Sequence, residues 1–359
     1  MRLLLIEPSD NHHETVLTLI AYASRLPVLS SLWVAVPERW KGLYARLPEV
    51  NGIVELGGDL SVEHLIREVR KQELSHVLYN TAYGPLPFRL SQRLRSAFQT
   101  GIVHDTEKLH RFSWVGWAVG CRMQHFWVLR DRLWQTLPRW WRKKSLSLPL
   151  AALPSSLEAA LPSIAVPPGE RWFAIPGRIE RKRRAYEDLI EALKERRPSA
   201  NWRFLLLGPA RAPHSDWPFL QERIRRYGIE EYFLVFEEPL DFATYHGYLR
   251  VCEAVLPLIH PTIAYWEKYL KYQITGAFSL AFTHRKPLFL HRAFSSEREF
   301  MDTAFFYETP LSLIELIERG DSSGHFQLYQ SEQWRVEWGV ERLWRGLTGG
   351  ERRSSDPLL

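Results

Sequence analysis

Between Phe173 and Leu193 the chain reads FAIPGRIERKRRAYEDLIEAL: an apolar stub, a Pro-Gly-Arg corner, five basic residues within seven positions, then a helical pattern. A glycine at the end of a strand lets backbone approach a ligand closely, and a following helix start offers unpaired N–H groups and a partial positive charge. Gly177, Arg178, Lys182, Arg183 and Arg184 therefore make a candidate clamp for a diphosphate. Each charge-assisted hydrogen bond to such a group contributes about 1.5 to 3 kcal/mol, so two would hold it. The alternative is a solvated basic face, although cations at a helix start oppose its dipole.

Other candidates lie at similar places in the pattern. In ITGAFSLA (274 to 281), Thr275, Gly276 and Ser279 could present hydroxyls and backbone N–H groups to phosphate or sugar, or pack as a core helix with a contact glycine. GIVHDTEKLH places His104 and Asp105 at the end of a strand. An imidazole titrating near working pH could orient or deprotonate a hydroxyl there, with a capping or core histidine as the alternative. Asp10, Asn11, His12 and His13 follow the first strand, and Asn80 ends HVLYN as a further candidate. No Cys or His spacing supports His12 and His13 as zinc ligands, so no metal and no cofactor is expected. Cys121 and Cys252, outside any CxxC spacing, read as packing residues.

These residues need elements to hold them. RLLLIE (2 to 7) is a buried-strand run, followed by the turn cluster PSDNHHE and helical spacing in TVLTLIAYASRL. LWVAVP, GIVEL, HVLYNT and GIVHD continue as strands, and DLSVEHLIREVRKQ puts Leu60, Val62, Leu65, Ile66 and Val69 roughly on one face. From 145 to 170 the chain turns to SLSLPLAALPSSLEAALPSIAVPPGE, and the domain linker is placed within or at the end of it. The alternation then restarts with RWFAIPG, RFLLLG, YFLVFE, EAVLPLI, PLFLH and AFFYE as strands. TPLSLIELIERG carries helix punctuation: Thr309 as N-cap, Pro310 at the first position, Gly320 past the end. Strands alternating with helices predict two doubly wound α/β domains with parallel sheets. The expected division is 1–165 and 166–328, with a helix over 329–347 packing back on the first domain and a flexible tail over 348–359.

With 359 residues, 45% hydrophobic and 25% charged, two cores can form. The absence of an eighteen-residue apolar run and of a secretory leader predicts a cytoplasmic address, with the inner face of the membrane as a further option. The net charge of +6 suits anionic partners without selecting among them. No helix-turn-helix or RNP pattern accompanies it, so nucleic acid is not expected. FWVLRDRLWQTLPRWWRKK (126 to 144) reads either as core aromatics or as a peripheral membrane patch.

PGRIERKRRAYEDLIEAL resembles the GR-x-x-x-x-K-G-x-x-x-L-I-x-A-L stretch of GT-B glycosyltransferases, in particular the large retaining family of bacterial sugar transferases known as glycosyl transferases group 1. WRFLLLG is similar to that family's next strand, YLRVCEAVLPLI to the strand carrying its aDv.v.PS pattern, and YLKYQITGAFSLAFTHRKPLFLH to its E-x7-E segment. The resemblance spans about 173 to 310 and is architectural over the first half. It implies two Rossmann-like domains facing an interdomain cleft, a nucleotide-diphosphate-sugar donor on the second, a glycan or lipid-linked acceptor on the first, and no required metal. Such an enzyme would serve cell-envelope polysaccharide synthesis. Arg178 and Arg183 take the places of the family's diphosphate-binding Arg and Lys, with Lys182 or Arg184 as alternatives, and His104 and Asp105 occupy its vHD corner as catalytic candidates. The motif's two glutamates fall on Tyr272 and Leu280, so Tyr272, Thr275, Gly276 and Ser279 remain to meet donor sugar and nucleotide, with Glu267 and Lys268 nearby as substitutes. Loss of both carboxylates leaves a catalytically inactive binding or assembly protein as the alternative.

Overall fold

Every strand pair in the computed structural model is parallel, and the strands fall into two sheets. The structure describes residues 1–57, 61–110, 114–198, 201–319 and 328–349. Leu60, Gly320 and the tail from Gly350 lie outside the described residues. In chain order the first sheet holds β1 (Arg2–Ile6), β2 (Ser31–Pro37), β3 (Gly52–Leu56), β4 (His76–Tyr79), β5 (Phe98–Val103), β6 (His125–Val128) and β7 (Ser145–Ser147). Its spatial order is β3-β2-β1-β4-β5-β6-β7. The second holds β8 (Glu170–Ile175), β9 (Asn201–Pro209), β10 (Phe233–Phe236), β11 (Ala254–Val255), β12 (Leu288–His291) and β13 (Ala304–Tyr307), ordered β10-β9-β8-β11-β12-β13. Parallel neighbours need crossovers that cover both faces, which is why β1 buries Leu3 to Ile6 without alternation.

The chain divides into two compact units. The first comprises Met1–Ala159, Tyr272–Ile274 and Glu332–Leu359; the second comprises Ala160–Lys271 and Thr275–Ser331. In the first, Leu4, Ile6, Val77, Tyr79, Val103 and Val128 pack one core. In the second, Phe173, Ile175, Leu189, Phe204, Leu206 and Leu313 pack another.

Three features add to the sequence reading or differ from it in detail. The Pro/Ser-rich run begins as structure of the first unit, with β7, buried Leu148, Leu150 and Leu153, and a helix over Ser155–Ala159. Its backbone groups find side-chain partners: Tyr22 Oη donates to Pro149 O (2.9 Å) and accepts from Ala151 N (3.1 Å), and Thr18 Oγ1 donates to Ala152 O (2.9 Å). The Trp/Arg-rich stretch contains a fully integrated strand, β6, with Phe126, Trp127, Trp141 and Leu133 buried. EAVLPLI yields only the two residues of β11, because Pro257 has no N–H for the ladder and Leu258 turns to φ +49°.

Thr309 caps the helix Pro310–Glu318 in a capping box with Ser312. The helix Val336–Thr348 packs against the helix His13–Ala23 and the sheet of the first unit, ending at Gly349 with φ +72°. Two glycines set that approach: a Cβ on Gly339 would fall 2.3 Å from the Tyr22 ring, and one on Gly346 would fall 2.1 Å from Trp127. Gly346→Ala is expected to lower stability by roughly 1 to 3 kcal/mol through overpacking, despite its better helix propensity. Gly42→Ala, in the helix Glu38–Tyr44 with nothing within 4 Å, serves as the control and should hold or raise the midpoint of thermal unfolding. Equal midpoints for the two variants would refute the close-packed docking of the last helix.

Candidate functional site

In a doubly wound sheet, ligands bind beyond the carboxyl ends of the strands where the order reverses. In the first sheet that point lies between β1 and β4, and the residues just past β1, β4 and β5 are Glu7, Asn80 and His104. Glu7 is fully buried, and its carboxylate accepts from Ser9 N (2.8 Å), Ser9 Oγ (2.7 Å), Asn80 Nδ2 (2.6 Å) and Thr81 Oγ1 (3.0 Å). Asn80 Nδ2 also donates to His12 O (3.1 Å), and Asn80 O accepts from His104 Nε2 (2.7 Å). The rings of His12 and His104 stack with centroids 3.8 Å apart, His12 being held at φ +64° at the start of its helix.

The electrostatics follow from exclusion of water. Burial pushes the Glu7 carboxyl up against the lowering effect of its Ser9 and Asn80 hydrogen bonds. Burial likewise lowers His12 and takes His104 well below the ordinary histidine value. Because a carbonyl can only accept, His104 carries its proton on Nε2, and Nδ1 keeps its lone pair, buried and without a hydrogen-bond partner. A neutral imidazole so placed orients a hydroxyl by accepting its hydrogen bond; its low basicity makes it a poor proton store. Asp105 is buried beside it, and its Oδ1 accepts from Glu107 N (3.2 Å), which is the work of a cap on the short helix Glu107–His110.

Other residues after β1 point elsewhere. His13 shares a hydrogen bond with Tyr44 Oη (2.8 Å) and stacks on Trp40, so it diverges from His12. Asp10 pairs with Arg39, and Asn11 N donates to Ser9 Oγ (3.2 Å).

In the second sheet the order reverses between β8 and β11. Gly177 follows β8 at φ +96°, and the backbone there is so close to β9 that a Cβ on Gly208 would fall 2.2 Å from Gly177 O. The five cations of the following loop then separate. Arg184 is buried: its Nη1 donates to Pro257 O (2.6 Å), while Nη2 would stand 2.8 Å from a Cβ on Gly177. Arg181 turns to Glu187 (2.8 Å), and its backbone N donates to Asp216 (2.7 Å). Arg178, Lys182 and Arg183 surround one buried carboxylate, Glu180, at 3.9, 3.6 and 2.8 Å. Arg183 is further held by Tyr269 Oη (3.1 Å) and lies over the Tyr265 ring. Arg178 and Lys182 keep 67% and 56% of their side chains exposed, which leaves them the available cations of the loop.

The residues around the degenerate motif also divide. Thr275 caps the helix Gly276–Thr283, its Oγ1 accepting from Ala277 N (3.4 Å); Ser279 is buried with Oγ unpartnered, and Leu280 is buried. Tyr272 belongs to the first unit, where its carbonyl accepts from Thr106 N (2.8 Å) and Thr106 Oγ1 (3.0 Å). Glu267 is exposed and pairs with Lys271 (3.3 Å), on the helix that also carries Lys268.

Sequence reasoning missed two buried groups. Glu7 closes RLLLIE, and the signal was a carboxylate directly after an unbroken apolar run. His260 follows β11, its Nδ1 donating to Asp188 Oδ2 (2.7 Å) and its Nε2 accepting from Tyr307 Oη (2.6 Å). That bond holds the Asp188 carboxyl below its usual range.

No family model and no curated protein matches the chain. Solved structures do. HepE from Anabaena, in complex with UDP and glucose, aligns with TM-score 0.62 at 15% identity over 97% of this chain and 99% of its own. A glycosyltransferase from Rickettsia africae gives 0.57 at 12% identity over 96% and 94%. A UDP-GlcNAc 2-epimerase from Methanocaldococcus jannaschii gives 0.58 at 10% over 98% and 100%. The chain has the GT-B fold of two Rossmann-like units.

The buried histidines fix a sign for pH dependence. His13 is pulled down to about 3 by burial, so its folded form resists protonation. Its contribution is present above the unfolded histidine value and lost as pH falls from about 6.5 toward about 3. Between neutrality and about pH 5 this one group should cost about 2 kcal/mol of folding stability. Denaturant titrations across that range on the parent and on His13→Gln should show a shallower acid slope for the variant; parallel slopes would refute the assignment.

Proposed function

We propose that the chain is a sugar transferase that takes its donor as a nucleotide diphosphate sugar, with the diphosphate held by the loop after β8. The observation that carries this reading is the loop after β8, at the sheet reversal, where Gly177 turns at φ +96° and the exposed cations Arg178 and Lys182 stand 3.9 and 3.6 Å from the buried Glu180. The missing Cβ of Gly177 makes room for the Arg184 guanidinium, and Glu180 draws the exposed cations to one side of the loop before an anion arrives. Support comes from structures of the same fold solved in complex with UDP and glucose or bound to UDP-GlcNAc.

In this reading the cations meet the charge that develops on the departing nucleotide diphosphate, and a metal is not required. Thr275, Gly276 and Ser279 take the sugar and nucleotide side. His104 Nδ1 accepts the hydrogen bond of an acceptor hydroxyl, while Asp105 holds the corner through Glu107. The acceptor is a glycan or a lipid-linked sugar of envelope polysaccharide synthesis, encountered in the cytoplasm.

A second reading, a binding or assembly protein without catalysis, is favoured by one observation. The motif's carboxylate positions are Tyr272, whose carbonyl serves Thr106, and Leu280, which is buried.

Thermal unfolding with millimolar UDP, GDP and ADP and their sugar conjugates tests donor binding; saturation well above Kd should add a few kcal/mol. Arg178→Ala or Lys182→Ala should weaken the responding nucleotide roughly ten- to hundredfold, as loss of one charge-assisted bond requires. Arg184→Ala should instead lower stability without ligand, because it braces Pro257. Absence of a shift with every nucleotide would overturn the reading, and binding without sugar release would select the second one.

A further inference from the structure

Charge is distributed very unevenly along this chain. Residues 108 to 157 contain nine Lys or Arg and one acidic residue, Asp131, an excess of eight positive charges. The net charge of the whole chain is +6, so everything outside that segment sums to −2. The segment's described part includes the end of the Glu107–His110 helix, the helix Trp114–Arg122, β6 and β7, the last being an edge strand of the first sheet.

The same segment holds the two most exposed described tryptophans, Trp117 at 46% and Trp140 at 51%. Packing brings them to one region. Trp117 lies on the helix Trp114–Arg122, one turn before Gly120, and a Cβ on Gly120 would fall 2.1 Å from the Trp141 ring. Trp141 in turn has its centroid 4.1 Å from that of Trp140. Gly120 thus seats the buried Trp141, and Trp141 props Trp140 outward. Beside Trp140 in the chain, Arg139, Lys143 and Lys144 are exposed, and no described carboxylate stands within ion-pair distance of any of the three.

We infer that Trp117 and Trp140, together with the neighbouring Arg139, Lys143 and Lys144, dock the protein on an anionic lipid surface. Tryptophan favours the boundary between headgroups and acyl chains, where its ring is buried and its N–H stays wet. Unpaired cations beside it are attracted by the negative potential of acidic lipids. Single-stranded nucleic acid also favours cations and aromatics, but it needs open ring faces on which bases stack. One side of Trp140 is taken by Trp141, their planes 34° apart, so the ring is placed for burial by edge and body rather than for stacking. Phe126 to Leu129, Leu133, Leu137 and Trp141 are core, and the interfacial part is the short helix Arg139–Arg142, the two lysines after it and Trp117.

The inference does not depend on the donor reading. Sedimentation of the full chain with vesicles of phosphatidylcholine, with and without phosphatidylglycerol, measures it. Partitioning should require the acidic lipid and weaken in high salt. Lys143→Gln and Lys144→Gln should each cost roughly fivefold, the equivalent of about 1 kcal/mol per cation near the surface. Trp117→Ala with Trp140→Ala should lower partitioning at every salt concentration and abolish a blue shift of tryptophan emission on vesicle addition. All four side chains are exposed, so unchanged unfolding midpoints and unchanged nucleotide response should accompany these losses. Equal binding to neutral and acidic vesicles, no binding to either, wild-type partitioning by the variants, or binding of polyuridylate in place of vesicles would overturn the inference.

Discussion

Both sheets contain one pair of adjacent parallel strands whose crossovers leave in opposite directions, and this topological divergence governs what the chain can do. The strand order reverses between β1 and β4, and again between β8 and β11. Backbone polar groups there cannot be satisfied by the ladder and must find side chains or each other. The two units answer differently. The first places a carboxylate, an amide and an imidazole in a continuous network, Glu7 to Asn80 to His104. The second brings backbone against backbone at Gly177 and Gly208, and braces the far side through Arg184 to Pro257 O and Ala185 N to Leu258 O (2.8 Å).

Opposite electrostatic regimes result. In the first unit desolvation dominates: the Glu7 carboxyl is raised and both His12 and His104 are lowered, so each group is driven toward its neutral form. The sign of the linkage differs between them. A raised carboxyl contributes its stability below the unfolded value and loses it as pH climbs, whereas the lowered histidines contribute above theirs and lose it as pH falls. In the second unit one buried carboxylate, Glu180, is outnumbered by the cations around it. A buried charge stripped of partners is costly, so Glu180 keeps its cations close even without a ligand. Arg183 hydrogen-bonds it at 2.8 Å, while Arg178 and Lys182 stand 3.9 and 3.6 Å away with more than half of each side chain exposed.

Much of this was legible in the residues. Strand–turn–helix alternation predicted two parallel sheets because buried parallel strands read as unbroken apolar runs, and RLLLIE and RFLLLG do so. The cationic corner at 178 to 184 was visible as composition, but its division was not. Which arginine turns inward depends on the carbonyl of Pro257, seventy-three residues away, and on a carboxylate between the cations. β6 and β7 were hidden for a different reason. HFWV and SLS sit among arginines, tryptophans and prolines, so local pattern suggested an interface or a linker, while tertiary pairing of β6 with β5 and of β7 with β6 supplied the strands. Glu7 and His260 escaped notice because a buried charge or imidazole is recognisable only through partners remote in sequence: Asn80 and Thr81 for one, Asp188 and Tyr307 for the other.

The shared fold cannot choose among chemistries, since transferases and a sugar-nucleotide epimerase superpose on this chain at similar scores. The choice rests on the loops. Where the resembling family places two carboxylates, this chain has Tyr272, fixed by Thr106 in the first unit, and Leu280, packed in the second. Neither position can accept a ribose hydroxyl through a side-chain oxygen in the manner of a carboxylate: one has a phenol at a point where the chain crosses between units, the other an alkyl group. Any contact of that kind must therefore come from backbone or from Thr275 and Ser279, and of these only Ser279 has a buried hydroxyl left without a partner. A buried hydroxyl in that state is unfavourable by about 1 to 3 kcal/mol, a cost that a ligand's hydroxyl or an ordered water reaching Ser279 Oγ would remove.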